Sequence, residues 1–155
     1  MRTRRWISLI LGMLGPVLAQ SVSLEPVGSP TLAATWNQIL SGQGTWTFQA
    51  RLRYVAPSSG SYKVLVQGVP AGTAGLGLTA YLTPGTPTRL SGNGSLGTLA
   101  LSGRTPMTGG YQVLIQGATG VEALLPLTLE LSASGSGPLP PGYLFLQVTV
   151  LILPE

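Results

Sequence analysis

The chain has 155 residues, of which 22 are Gly and 13 Pro, and only 8% are charged against 44% hydrophobic. It holds no His, no Cys and, since its four acidic residues are Glu25, Glu122, Glu130 and Glu155, no Asp. This excludes Ser-His-Asp and Cys-His catalytic sets, His or Cys zinc sites and disulfides, and so argues against an enzyme and against a metal or other cofactor.

The net charge of +4 is concentrated at the start. Arg2, Arg4 and Arg5 precede an apolar run from Trp6 to Leu18 that ends in Val17-Leu18-Ala19. That order of basic, apolar and small-residue regions predicts a secretory signal peptide over 1–19, cut after Ala19. The run is interrupted by Gly12, Gly15 and Pro16 and is too short to span a bilayer. Without it five basic residues face four acidic ones, so the basic character belongs mainly to the leader and a nucleic-acid footprint is not expected. The expected location is the periplasm, the cell surface or the extracellular space.

Residues 20–44 read as an N-terminal extension or linker with one or two helical turns within Leu32–Leu40, and 45–155 as the domain proper. Between Thr45 and Tyr54 apolar Trp46, Phe48, Ala50, Leu52 and Tyr54 alternate with polar Thr47, Gln49, Arg51 and Arg53. A period of two predicts a strand with one buried and one wet face. Further strands are expected at Tyr62–Gln67, Leu76–Thr83, Leu96–Leu101, Tyr111–Gln116, Ala123–Ser132 and Tyr143–Leu153, separated by Gly, Pro, Ser and Asn. The fold class implied is all-β, an antiparallel immunoglobulin-like β-sandwich. It carries an internal pseudo-repeat: 52–82 align without gaps on 101–131, with Gly-x-Tyr-x-Val-Leu-Val/Ile-Gln-Gly as the clearest unit. In the last strand Leu144, Leu146, Val148, Val150 and Ile152 share one face, so it must be central or covered, because a free edge of that kind templates aggregation.

Gly92-Asn93-Gly94-Ser95-Leu96-Gly97 spells a dinucleotide-binding motif, but Gly103 and Pro106 break any following helix, and a hairpin turn on Asn93-Gly94 accounts for it. Gly75-x-Gly77-x-x-Ala80 is set aside in the same way, and Asn93-Gly94-Ser95 is also a formal glycosylation sequon. Glu122 and Glu130 could form a carboxylate pair, yet in a sandwich they are better read as solvated. Arg51, Arg53 and Lys63 could form a basic face for an anionic glycan, or simply keep an exposed face soluble. Trp36 and Trp46 could stack on a sugar, although Trp46 falls on the inward face of its strand.

Pro140-Pro141-Gly142-Tyr143 with Val148-Thr149-Val150, following Pro126-Leu127-Thr128-Leu129-Glu130-Leu131, resembles the closing strands of the spore coat protein U group, the pilin-like subunits of archaic chaperone-usher pili. The resemblance covers about the last 30 residues. It implies a sandwich lacking one strand, which the next subunit's N-terminal extension supplies, and a periplasmic chaperone as a partner. In this chain Gln20–Ser29, with Val22, Leu24 and Val27, is the segment in the donor position.

The leading expectation is a secreted, non-enzymatic structural or adhesive subunit that associates with itself or related surface subunits. Two others stand beside it: a carbohydrate-binding sandwich presenting Tyr62, Tyr111 or Tyr143 to a glycan, and, last, a small outer-membrane β-barrel.

Overall fold

The computed structural model describes residues 6–14, 20–72, 77–139 and 143–155. The predicted leader's Arg2, Arg4, Arg5 and Gly15–Ala19, the start of Gly75-x-Gly77, and Pro140-Pro141-Gly142 lie outside them.

The described chain forms β1 (Trp6–Leu14), β2 (Ser21–Val27), β3 (Thr31–Ala33), α1 (Trp36–Ser41), β4 (Gln43–Ala56), β5 (Tyr62–Ala71), β6 (Gly77–Pro84), β7 (Thr88–Ser91), β8 (Thr98–Leu99), β9 (Thr105–Met107), β10 (Gln112–Ala118), β11 (Val121–Ser134) and β12 (Tyr143–Pro154). One sheet runs in the order β3, β1, β12, β5, β10, β8. The other runs β2, β4, β11, β6, β9, with β7 also on β11. The all-β sandwich is therefore the observed fold, and every pairing except β1 with β12 is antiparallel.

The alternation of β4 is realised in three dimensions: Trp46, Phe48, Ala50, Leu52, Tyr54 and Ala56 are buried, and their odd-numbered neighbours from Gln43 to Arg53 are exposed or half-buried. Fourteen register pairs join β4 to β11, from Val121 opposite Ala56 to Ser134 opposite Gln43. On β11 the inward residues Ala123, Leu125, Leu127, Leu129 and Leu131 meet the inward rows of β12, β5 and β10. Among the described residues the core holds no buried charged or polar residue, as the hydrophobic effect demands of a layer closed on both sides. Tyr54 keeps its hydroxyl satisfied by donating to the Leu96 carbonyl at 2.8 Å, and burial pushes its pKa up to about 12.

The repeat has a spatial counterpart. Its corresponding strands are direct neighbours: β5 lies beside β10 in one sheet, and β6 beside β11 in the other. Tyr81 is opposite Glu130, its own counterpart at the offset of 49, with Leu82 opposite Leu129 and Ala80 opposite Leu131. Antiparallel pairing of a segment with its own copy is what a pseudo-two-fold axis through both sheets produces. Arg104 joins this central pair, its guanidinium 3.6 Å from the Tyr81 ring centroid and its Nε donating to Glu130 at 3.0 Å.

The 20–44 segment is more than a linker. It supplies β2, β3 and α1, and Val22 and Leu24 enter the core. The expected helical turns are α1, started by a capping box in which Thr35 Oγ1 accepts from Gln38 N and Gln38 Oε1 accepts from Thr35 N. Gly42, at φ +72°, ends it in the left-handed conformation.

The Asn93-Gly94 turn differs from the expected hairpin. β7 and β8 belong to different sheets, so the segment between them is a crossover. Arg89 ties it down by donating to the Gly92 and Gly94 carbonyls, and a Cβ on Gly94 would collide with the Thr119 carbonyl. The expected strand over Leu96–Leu101 shrinks to Thr98–Leu99 for the same reason.

Leu129 is fully buried between Phe48 of β4 and Leu82 of β6. Leu129→Ala should cost about 2–5 kcal/mol, read as a lower urea midpoint with an unchanged m-value.

Candidate functional site

β12 is paired along both of its flanks. On one flank it pairs with β5, from Phe145 opposite Ala71 to Pro154 opposite Tyr62. Its inward row of Leu144, Leu146, Val148, Val150 and Ile152 is buried throughout. The strand's other flank is occupied by β1, which runs parallel to it over nine positions, from Trp6 opposite Tyr143 to Leu14 opposite Leu151.

The segment read as the apolar core of a signal peptide is therefore a strand of the sandwich. Its alternation explains why it fits: Ile7 and Leu9 are buried, Leu11 packs partly against the core, and Ile10 between them is 44% exposed. Burying Ile7 and Leu9 contributes about 1.5–3 kcal/mol each. β1 also lies against β2 of the opposite sheet. Among the described residues its outer flank carries only the three-residue β3, from Trp6 opposite Ala33 to Ser8 opposite Thr31, and the Leu9 amide donates to the Pro30 carbonyl at 2.7 Å. At the far end of the slot Gln20 Nε2 donates to the Ile152 carbonyl at 3.3 Å, so the residue after the predicted cut is held by β12 itself.

The segment in the donor position is engaged within its own chain. Val22 and Leu24 of β2 are buried opposite Tyr54 and Leu52 of β4, while Val27, opposite Gln49, is exposed.

The residues considered for a ligand face do not converge. Arg51 and Arg53 are exposed on β4, but Lys63 is on β5 of the other sheet. Alternation along a strand tells which face a side chain takes, and it is silent on which sheet the strand joins. Arg53 pairs with Glu122 of β11, and the second Glu122 oxygen accepts from Ser91 at 3.0 Å. With Glu25, Leu90 and Leu124, the two arginines line a shallow depression of about 190 Å³. Tyr62 is buried, its hydroxyl 3.3 Å from that of Ser59. Tyr111 is 40% exposed, and the side chain of Tyr143 lies outside the described residues. Trp46 is core, whereas Trp36 of α1 is exposed. Glu122 and Glu130 each hold an arginine, Arg53 and Arg104 respectively. Among the described residues no three of Asp, Glu, His or Cys come together to hold a metal ion.

A latch that sequence reasoning missed closes the end of β12. Glu155 accepts from Ser61 Oγ at 2.6 Å and from the Gly117 amide at 3.0 Å, which hold its carboxyl below the usual value. No pattern along the chain marks it, because its partners lie 94 and 38 residues away.

No protein-family model matches the chain, and no curated protein matches it. Among the described residues no helix is long and apolar enough to cross a membrane.

Arg53, then Ser91, hydrogen-bond the Glu122 carboxylate and lower its pKa from the ordinary 4.5. A lowered folded-state value stabilises the fold above 4.5, and that contribution disappears as pH falls through the lowered value. Glu122→Gln should therefore flatten part of the acid limb of the melting-temperature profile and leave the neutral plateau nearly unchanged, since the pair is solvent-screened.

Proposed function

We propose that this protein is a secreted, non-enzymatic structural or adhesive surface subunit, pilin-like in using strand addition at β12 for assembly. One observation carries the reading: the flank of β12 opposite β5 is filled by a strand drawn from the very segment whose sequence marks it for removal on export. A chain starting at Gln20 has a nine-residue edge on β12, above a core row of Leu144, Leu146, Val148 and Val150. Such an edge offers unpaired amides and carbonyls in register with an apolar groove, and both are satisfied by another extended segment. The partners that fit are other copies of this chain or related surface subunits, with a periplasmic chaperone covering the edge before assembly.

The absence of His, Cys and Asp supports a role without catalysis. The inward apolar and outward polar pattern of β4 is the reverse of a membrane barrel with a polar lumen, which favours the sandwich subunit over the outer-membrane reading. The separation of Lys63 from Arg51 and Arg53, and the burial of Tyr62, leave the glycan reading with a smaller platform.

Export of the full chain in a host with a periplasm tests this. The expected product starts at Gln20 and forms concentration-dependent oligomers or fibres by light scattering and electron microscopy. A product starting at Gln20 that stays monomeric at every concentration overturns the proposal.

A further inference from the structure

We infer that β1 is a tethered placeholder strand: the leader segment Trp6–Leu14 closes the sandwich of the uncut chain, and cleavage after Ala19 turns it into a dissociable ligand of the β12 slot. The inference rests on the reading of 1–19 as a cleaved leader, and it adds how the slot is kept shut and what peptide chemistry it takes.

Four observations carry it. β1 is matched to β12 over its full nine positions and places Ile7 and Leu9 in the core, so the slot accommodates this segment in a definite register and polarity. β2, the next strand, is held by β4 in the opposite sheet over seven positions, so it does not depend on the β1–β12 ladder. Gln20 is anchored to the Ile152 carbonyl at the end of the slot, so a cut just before it leaves the new N-terminus in place. Finally, among the described residues β3 is the only other strand paired with β1, and its three positions cannot cover the nine that β1 covers.

The covalent step is ordinary hydrolysis by an export peptidase. Water adds across the Ala19–Gln20 amide, giving the Ala19 carboxylate and the Gln20 ammonium. The physical consequence lies in concentration. A strand on a short linker sees its slot at an effective concentration of order millimolar. The same strand, once cut and at micromolar concentration, is disfavoured by about 1,000-fold. Cleavage thus arms the edge without altering a residue of the slot. The ligand class is an extended peptide running parallel to β12, with bulky aliphatic side chains at alternate positions and no charge on that face.

A full chain with a sequence-specific protease site inserted between Ala19 and Gln20 tests the device. It is purified uncut, then cut, and titrated with a labelled peptide of the Trp6–Leu14 sequence carrying a solubilising lysine tail. The cut chain should take the peptide, and the uncut chain should exclude it. A peptide with Ile7→Asp and Leu9→Asp should bind at least about 100-fold more weakly, because two carboxylates would be forced into an apolar core. Ile10→Asp, at the exposed position, should bind nearly as well as the parent. Equal binding of the Ile7/Leu9 double variant, or equal uptake by cut and uncut chains, overturns the inference. A cut chain that binds the peptide but remains monomeric without it upholds the placeholder and defeats the assembly proposal. One that assembles yet ignores the peptide does the opposite.

Discussion

The structure depends on the need of β12 for a partner on both flanks. A strand with five aliphatic residues on its core face cannot sit at a wet edge: each unpaired amide and carbonyl leaves a hydrogen bond unmade, and the apolar row beneath stays open to water. β5 meets half of the requirement through ten antiparallel pairs. The other half falls to β1, which runs parallel to β12 over nine positions.

The centre of the sandwich is built differently from this margin. β5, β10, β6 and β11 form a pseudo-symmetric block in which each repeat crosses from one sheet to the other and pairs with its copy. Neither copy buries enough apolar surface alone, and antiparallel docking of the two closes a common core. β4, with fourteen pairs to β11, extends the block. β1 and β3 stand at the margin of their sheet, beyond β12.

Much of this was legible along the chain. The strict alternation of β4 and the aliphatic face of β12 marked them as strands with a buried face, whereas the capping box of Thr35 and Gln38 and the left-handed Gly42 that bound α1 came only with the structure. The Gly-x-Tyr-x-Val-Leu unit announced the repeat, although its meaning as a two-fold pairing needed the register. Less legible were β2, β7 and β9, which are short, carry Pro26 or Pro106, or lack an alternating face; they are strands because longer neighbours offer them a ladder. Asn93-Gly94 was locally a hairpin signal, overridden by a crossover that Arg89 secures. The segment Trp6–Leu14 posed the hardest ambiguity, because an apolar run rich in Ile and Leu satisfies a signal-peptide pattern and a buried strand alike. Only the pairing of Trp6–Leu14 with Tyr143–Leu151 shows the second use.

Hydrogen exchange along Tyr143–Leu151 tests the central claim most directly, comparing the intact chain with one that starts at Gln20 and is kept dilute. The account predicts that the shortened chain loses protection at the β12 amides directed toward β1 and throughout β3, while β4 and β11 exchange as slowly as before. Equal protection of β12 in both chains would contradict it.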